Sequence, residues 1–317
     1  MKNILVTGAS GYLGSLLIQK LSEEKESLGI INLVATDVRP LHKPLPNVAF
    51  EKLDVREKNA GEIFKKYNID CVVHLASIVT PGKKSNREFE YSVDVDGTKN
   101  ILSACLEAKV KRIIISSSGA AYGYYPENKK PLIESHPIRG NYEFAYSHHK
   151  KLVEEELLMY REKHPELEQT IFRITTILGT NVNNQITDLF KKPVQIGIPD
   201  NEIGFSFIWD VDAVECFKYA IFSKKTGIYN LSGDGYVNIA ERAKALNKFV
   251  VYIPSVVLEK TLLVLKKFGL SQYGPEQVLF LKYRPILDNK KLKSEFGFIP
   301  KKNSHEVFDL FVQTLRK

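Results

Sequence analysis

Short apolar runs alternate with amphipathic stretches through the first half of this 317-residue chain. The apolar runs cover residues 3–10, 31–37, 48–55, 70–77, 112–118 and 169–178, and patterns of helical period cover 12–26, 60–68, 91–109 and 142–164. Apolar runs that helices separate are typical of parallel strands buried on both faces. The pattern therefore predicts an α/β fold with a Rossmann-type, doubly wound parallel sheet, which binds ligands at the carboxyl ends of its strands.

The alternation of apolar runs and helical patterns ends after Leu178, where a polar, loop-rich stretch begins. Residues 205–223 and 227–246 each have the pattern of a strand followed by a helix, and 305–317 has that of a closing helix. We therefore predict a dinucleotide-binding domain at residues 1–179, to which 207–231 returns. A smaller C-terminal α/β lobe at 180–317 is predicted to bind the substrate.

Three glycines, Gly8, Gly11 and Gly14, lie between the first predicted strand and the first predicted helix. In this position they permit a tight turn, a close approach of backbone to a pyrophosphate, and close packing of the helix on the strand. The free N–H groups and the positive dipole end of the helix favour phosphate. The alternative is a structural strand-to-helix turn. The predicted cofactor contacts of this turn are Gly8, Ser10, Gly11, Tyr12 and Leu13.

Asp37 ends the second predicted strand, 23 residues after Gly14. A carboxylate at this place accepts hydrogen bonds from the adenosine ribose and repels a 2′-phosphate, which favours NAD over NADP. Arg39 keeps NADP open, because its side chain could reach a 2′-phosphate. Asp54, after the third strand, could receive the adenine amino group, although a solvated loop carboxylate is the alternative. Val55 is a further predicted cofactor contact.

Tyr146 and Lys150 are spaced by one helical turn in "YSHHK". A free tyrosine has a pKa of about 10, too high for a good base at neutral pH, and a neighbouring lysine cation favours the phenolate. Ser118 ends the fifth predicted strand, at the sheet edge where an open α/β fold places its site. An ordinary amphipathic helix and a polar strand end are the alternatives. We interpret His148 and His149 as non-catalytic, because they lie partly off the face of Tyr146.

Composition and charge narrow the class of protein. With 44% hydrophobic and 26% charged residues, the chain is typical of a soluble globular protein. The net charge of +8 comes from dispersed lysines, which predicts a generally basic surface and no nucleic-acid groove. Three scattered cysteines predict reduced thiols and no metal site. Without a signal-peptide pattern or an 18-residue apolar run, we expect a cytoplasmic protein with no stable membrane insertion.

Several motifs, taken in order, resemble the extended short-chain dehydrogenase/reductase family, the NAD-dependent epimerase/dehydratase group. Within it the chain looks most like bacterial UDP-glucose 4-epimerase-like proteins. The motifs are "TGASGYLG" at 7–14, "LDV" at 53–55, "HLAS" at 74–77, "VDVDGTKN" at 93–100, "SSSGAAYG" at 116–123, "YSHHK" at 146–150 and "FRITTILG" at 172–179.

The resemblance implies roles for the matched residues. Ser118 would hydrogen-bond the reacting oxygen of the substrate, Tyr146 would transfer its proton, and Lys150 would bind the nicotinamide ribose. The implied cofactor is NAD, lined also by Leu75, Ala76, Ser77, Ser116 and Ile174. The substrate would contact Ser118, Tyr146, Thr176 and Arg284. A homodimer is the family expectation.

Three departures from the family pattern bear on the chemistry. Gly119 and Ala120 stand where sugar-nucleotide dehydratases and decarboxylases carry an acid, which disfavours those reactions. Phe205 stands where many members carry a diphosphate-clamping arginine, so Arg284 is a candidate replacement, with a surface loop residue as the alternative. Asp94 replaces an asparagine near the cofactor.

Three functions follow as hypotheses. The first is an NAD-dependent epimerase of a nucleoside diphosphate sugar, with Tyr146 as acid and base. The second is a carbonyl reductase or alcohol dehydrogenase with a less polar, steroid-like substrate, and the third is a nucleotide-sensing protein without turnover, which an intact Ser118–Tyr146–Lys150 set argues against. Two features stay open: the amphipathic segment 254–274 is a lid, a dimer surface or an interfacial helix, and four aromatic residues line the pocket or pack the core: Tyr122, Tyr124, Tyr125 and Trp209.

Overall fold

The computed structural model describes residues 2–79, 86–129, 131–199, 204–271 and 274–316. Its strands are β1 (Lys2–Thr7), β2 (Ile30–Asp37), β3 (Ala49–Lys52), β4 (Cys71–His74), β5 (Arg112–Ser118), β6 (Glu168–Ile174), β7 (Thr176–Leu178), β8 (Val194–Gly197), β9 (Phe207–Trp209), β10 (Gly227–Leu231) and β11 (Phe249–Tyr252).

The α-helices are α1 (Tyr12–Glu23), α2 (Ala60–Lys66), α3 (Arg87–Tyr91), α4 (Gly97–Glu107), α5 (Ala145–Lys163), α6 (Gln185–Lys191), α7 (Asp210–Phe222), α8 (Ile239–Leu246), α9 (Ser255–Lys267), α10 (Gln277–Lys282) and α11 (Ser304–Leu315). A π-helical turn (Ser92–Asp96) joins α3 to α4, and a second one spans Leu292–Phe296. Short 3₁₀ turns span Gly119–Tyr122 and Pro126–Lys129.

Seven parallel strands form the central sheet, in the order β10-β6-β5-β4-β1-β2-β3. The chain runs outward from β1 to β3 and then crosses back to β4 on the other side of β1. The order therefore reverses between β1 and β4, which is where open α/β sheets bind ligands. This architecture confirms the predicted Rossmann-type doubly wound fold.

Both faces of the sheet are covered by apolar side chains, as the continuous apolar strand runs predicted. One core contains Leu17 of α1, Phe172 of β6 and Phe217 of α7. The core on the other face contains Phe64 of α2 and Leu157 of α5. Helices on both faces thus hold the strand ends, and with them the candidate site, in fixed positions.

The chain after residue 179 contributes to two regions of the molecule. Strand β10 pairs with β6 at the edge of the central sheet, while β8 pairs with β11, and β7 with β9, in two small parallel sheets. A third core beneath the small sheets is rich in phenylalanine, with Phe190, Phe205 and Phe308 buried. The domain boundary at residue 179 stays a prediction.

Helix α9 covers most of the amphipathic segment predicted at 254–274. Its apolar residues are largely exposed, with Val256 at 58% and Leu263 at 56%, whereas Leu258 is buried at 7%. Residues 272 and 273 lie outside the described ranges. The choice between lid, dimer surface and interfacial helix therefore stays open.

Candidate active site

The glycine turn lies against the carboxyl end of β4. Gly8 has φ +66°, and a Cβ there would lie 2.7 Å from the Ala76 nitrogen; a Cβ on Gly14 would lie 2.1 Å from the Gly8 oxygen. Helix α1 begins with Gly11 at its N-cap and has neither a side-chain cap nor an acidic residue in its first turn. No side-chain cap therefore accepts a hydrogen bond from the first-turn N–H groups of α1. Free N–H groups at a helix N-terminus fit a cofactor pyrophosphate.

Asp37 is held beside this turn by backbone donors. The Ser10 nitrogen donates to one carboxylate oxygen and the Arg39 nitrogen to the other, each at 3.0 Å. The exposed Arg39 side chain forms a loose ion pair with the same carboxylate, with Nε 3.9 Å from Oδ1. Asp37 is 9% exposed, so its negative charge is fixed where the sequence predicts the adenosine ribose.

The other predicted cofactor residues are arranged differently. Arg56 Nε donates to both oxygens of Asp54 at 3.0 Å, and this pairing lowers the pKa of Asp54. Val55 is buried in the core, and Leu13 packs against the opposite core. The Tyr12 hydroxyl donates to Asp210 Oδ2 at 2.6 Å, which ties the start of α1 to the start of α7.

A neutral histidine ties β1, β4 and α4 together beneath the loop that follows β4. His74 Nδ1 lies 2.8 Å from Thr7 Oγ1, and Nε2 lies 3.1 Å from Thr98 Oγ1. Burial lowers the pKa of His74 to about 3. In the same loop, Ser77 Oγ is buried without a hydrogen-bond partner among the described residues, which leaves a polar group for a bound cofactor.

Ser118, Tyr146 and Lys150 converge at the carboxyl end of β5. Lys150 Nζ donates to the Ser116 carbonyl oxygen at 3.0 Å and lies 5.6 Å from the centre of the Tyr146 ring. Ser118 Oγ accepts from the Ala120 nitrogen at 3.1 Å, and a side-chain hydrogen bond from Ser118 lowers the pKa of the Tyr146 phenol. The structure thus brings the three residues together, and their catalytic roles stay predictions.

The pKa of Tyr146 departs from the sequence-based expectation. Burial raises it well above the ordinary value and outweighs the hydrogen bond from Ser118, while the charge of Asp94 raises it further. Burial of the phenol, rather than Lys150, therefore sets the direction of the shift. These are effects of the protein's own residues, and the positive charge of a bound nicotinamide would favour the phenolate.

Asp94 links the loop after β4 to helix α5. It lies in the π-helical turn Ser92–Asp96, a geometry that often marks functional positions. Its Oδ1 accepts from the Ile78 nitrogen at 2.9 Å, and its Oδ2 lies 3.6 Å from His149 Nδ1. The charge of Asp94 also raises the pKa of Lys150, against the larger lowering by burial. The Asp94 carboxylate thus favours the charged form of Lys150.

The two histidines of "YSHHK" have different surroundings. His149 is fully buried, beside Asp94 and edge-on to Tyr91 at 5.6 Å between ring centres. His148 is half-buried and lies 3.3 Å from Arg87. Neither histidine hydrogen-bonds to Tyr146 in the described residues, so their interpretation as non-catalytic stays a prediction.

A buried ion pair supports the serines at the end of β5. Glu154 accepts from Arg173 Nη2 at 2.6 Å and from the Ser117 hydroxyl. Arg173 Nη1 donates to the Tyr122 hydroxyl at 2.9 Å, which in turn donates to Asn230 at the same distance. Tyr122 therefore belongs to a buried network.

The other aromatic candidates separate into two groups. Tyr125 donates to the Gly140 carbonyl oxygen at 2.6 Å, and Trp209 packs against the third core. Tyr124 instead lies near the site, because its charge influences the pKa of Tyr146. Its ring lies 5.0 Å from that of Phe144 and 5.3 Å from that of Phe280.

Arg284 lies at the junction of the sheet edge and the C-terminal lobe. Its Nη2 donates to Thr176 Oγ1 at 2.9 Å, and its guanidinium carbon lies 3.8 Å from the centre of the Phe205 ring. Arg242 of α8 lies over the same ring at 4.5 Å, and sequence reasoning missed it. The spacing from Ile239 and Leu246 places Arg242 on the apolar face of α8, and this spacing is the sequence feature that could have identified it.

The described residues contain no group of three or more His, Cys, Asp or Glu side chains that could hold a metal ion. None of the helices within those ranges is long and apolar enough to cross a bilayer.

Comparison with known proteins identifies the family of this chain. The model described as "NAD dependent epimerase/dehydratase family" matches residues 4–230. A UDP-glucose 4-epimerase of Yersinia pestis is 31% identical over 211 residues, which cover 64% of this chain and 60% of that protein. An uncharacterized protein of Mycobacterium tuberculosis is 21% identical over 314 residues, which cover 97% of this chain and 82% of that protein.

Among solved structures, UDP-glucose 4-epimerase from Thermotoga maritima with UDP-glucose superposes with a TM-score of 0.76 at 20% identity. The match covers 99% of this chain and 98% of that one. At this identity the likeness shows a common fold.

Proposed function

Because the chain belongs to the NAD-dependent epimerase/dehydratase family, and is therefore an enzyme, we propose that it is an NAD-dependent epimerase of a nucleoside diphosphate sugar. The observation that carries this proposal is the convergence of Ser118, Tyr146 and Lys150 at the carboxyl end of β5, on the same sheet edge as the glycine turn that follows β1. The names of the relatives support the sugar-nucleotide class, since those of known activity include a UDP-glucose 4-epimerase.

NAD, when bound, supplies a hydride acceptor that can also return the hydride. As the phenolate, which Lys150 and the positive charge of a bound nicotinamide would favour, Tyr146 would remove the proton of the reacting hydroxyl and return it to the same oxygen after the configuration has changed. Ser118 orients the reacting oxygen by a hydrogen bond. Lys150, fixed by the Ser116 carbonyl and by the charge of Asp94, keeps a cation near the phenol, which favours proton removal.

The surroundings of Ser118 favour epimerization over dehydration. Gly119 and Ala120 provide no acid beside the reacting oxygen. A Cβ on Gly119 would lie 3.2 Å from the Leu287 side chain, so the space beside Gly119 is already filled by an apolar group. Removal of water from a sugar needs a general acid, and these positions do not supply one.

Asp37 supports NAD over NADP. Its carboxylate already accepts two backbone N–H groups and lies beside the glycine turn, so a 2′-phosphate there would meet a fixed negative charge. A cytoplasmic location and a homodimer remain parts of this proposal.

A carbonyl reductase with a less polar substrate is the second candidate. The aromatic side chains of Tyr124, Phe144 and Phe280 near Tyr146 favour it, since they offer an apolar wall. Such an enzyme would use the same three residues but release its cofactor after each turnover.

The test is to identify the nucleotide that the purified protein retains and then to assay it with UDP-glucose and no added cofactor. The epimerase proposal predicts retained NAD and conversion to UDP-galactose, followed by NMR. A protein that purifies empty, consumes NADH with simple ketones and leaves UDP-glucose unchanged would be a reductase.

A further inference from the structure

Helix α9 has one face that is exposed along its whole length. Its residues form two neighbouring rows, because side chains four and three residues apart lie above one another on a helix. The exposed rows are Val256, Lys260, Leu263 and Lys267, and Val257, Thr261, Val264 and Phe268. The opposite side of α9 packs on the protein, where Leu258 shares a small buried core with Val278 of α10. The exposed face is therefore not covered by any part of the chain that the structure describes.

The charged side chains of this exposed face are all lysines. Lys260 and Lys267 form no ion pair within the described ranges, whereas Lys266, outside both rows, is paired with Glu276 at 3.1 Å. Glu259 is the one acidic residue of α9, and it is half-buried and also outside both rows. The face therefore combines apolar side chains with positive charge that the described residues do not neutralise.

Apolar exposure continues at both ends of α9. Phe268 and Leu270, at its C-terminal end, are 72% and 75% exposed. Strand β11, which leads into α9, pairs with β8, and the paired side chains on one face of this small sheet are all exposed: Phe249 with Val194, and Val251 with Ile196. Exposed apolar side chains that are this numerous in one region mark an interaction surface.

The mixture of lysine and apolar side chains separates the possible partners. A two-fold contact between the α9 faces of two copies would bring the Lys260 and Lys267 side chains of both copies close together, and like charges repel. Lysine is also depleted from the centres of protein–protein interfaces. An anionic lipid surface suits both kinds of side chain. Valine, leucine and phenylalanine enter the acyl boundary, while lysine stems reach back to the headgroups.

We propose that α9 is a peripheral membrane-docking helix, whose exposed face lies in the headgroup region of an anionic bilayer. Its 13 residues span about 20 Å, which suits a helix that lies in the plane of the interface. The proposal assigns a partner to the amphipathic segment. It does not depend on the proposed function, because none of the residues of this face belongs to the candidate active site.

The experiment is cosedimentation of the purified protein with sucrose-loaded vesicles. One set of vesicles contains phosphatidylcholine alone, and the other contains equal parts of phosphatidylcholine and phosphatidylglycerol. The variant Lys260→Gln/Lys267→Gln removes both charges, and its control is Lys224→Gln/Lys225→Gln, at two exposed lysines between α7 and β10. Leu263→Ser removes an apolar side chain, and its control is Ile299→Ser, which is 69% exposed outside α9.

We expect the wild-type protein to bind the vesicles that contain phosphatidylglycerol, and to bind them more weakly as salt is added. Lys260→Gln/Lys267→Gln should weaken this binding roughly thirtyfold, from about 1 kcal/mol for each lysine near an anionic surface. Leu263→Ser should weaken it about tenfold, as for the loss of a buried leucine side chain. Both controls should bind as the wild type does, and vesicles of phosphatidylcholine alone should bind least.

Three results would overturn the membrane surface. The first is no binding of the wild-type protein to either set of vesicles, and the second is equal binding by the wild type and both α9 variants. The third is a wild-type dimer that Leu263→Ser dissociates in analytical ultracentrifugation without any binding to vesicles, since this assigns the face to a second copy. If one α9 variant fails to fold, the other is judged by the same criterion. Turnover of UDP-glucose without vesicles should be equal in all variants, so a failure of the proposed function would be seen separately.

Discussion

Buried charges are stabilised differently at the strand ends of the central sheet and at the pair Arg242 and Arg284 around Phe205. At the strand ends Asp37 accepts two backbone donors, and Glu154 is paired with Arg173. Around Phe205, two guanidinium groups lie against aromatic rings without a carboxylate in the described ranges. The two regions thus hold buried charge by different means: backbone donors and an ion pair in the first, and aromatic faces in the second.

The largest expected effect is on kcat, and it comes from the catalytic residues at the strand ends of the central sheet. Tyr146→Phe removes the phenolic proton and should lower kcat for epimerization by at least about 10²–10⁴-fold, the usual contribution of general acid–base catalysis. The retained NAD should stay near the wild-type amount. Tyr160→Phe, on the same helix but hydrogen-bonded to Ser103, is the control and should keep wild-type kcat. Substantial residual turnover in Tyr146→Phe would remove that residue from the mechanism.

Breaking the buried pair should have the largest effect on stability. Glu154→Gln leaves Arg173 as an uncompensated buried charge and should lower the free energy of unfolding by about 3–5 kcal/mol. Glu156→Gln breaks the more exposed pair with Lys99 and should cost about 1 kcal/mol or less. Urea denaturation measures both. Equal losses would show that the network around Glu154 is not specially stabilising.

Removing one arginine should affect binding more than chemistry. Arg284→Met should raise the KM for UDP-glucose by at least about tenfold, since a charged hydrogen bond to phosphate is lost, with a smaller change in kcat. Lys290→Met, at an exposed lysine nearby in sequence, should leave both constants unchanged. A fall in kcat at unchanged KM would instead give Arg284 a role in the reaction step.

The smallest effect is a change in the pH dependence of stability. The pKa of His74 is about 3 in the folded protein and 6.5 in the unfolded chain, so only the unfolded chain takes up a proton between these values. Stability should therefore fall as the pH drops below about 6.5, by up to about 1.4 kcal/mol per pH unit. His74→Gln should flatten this slope between pH 6.5 and 5 in urea titrations. His305→Gln, at a surface position, should not, and an unchanged slope in His74→Gln would contradict the assignment.

Sequence reasoning succeeded where a feature depends on local spacing. The alternation of apolar runs predicts the parallel sheet, and the glycine turn and the Tyr146–Lys150 spacing each lie within one or two helical turns. Their placement on the same edge of the sheet follows from the parallel topology.

Other features depend on packing that the sequence does not display. The pattern at 91–109 predicts a continuous helix, and nothing in it indicates the π-helical turn that carries Asp94. Residues distant in sequence bury Tyr146 and raise its pKa, and the spacing to Lys150 does not reveal this burial. Arg242 meets Arg284 only because α8 and the segment after α10 both pack on Phe205.

The most direct measurement is a crystal structure of the Tyr146→Phe protein with NAD and UDP-glucose. The account predicts that a hydroxyl of the sugar lies against Ser118 and the ring at position 146. Ordered UDP-glucose with its sugar away from Ser118 would contradict it.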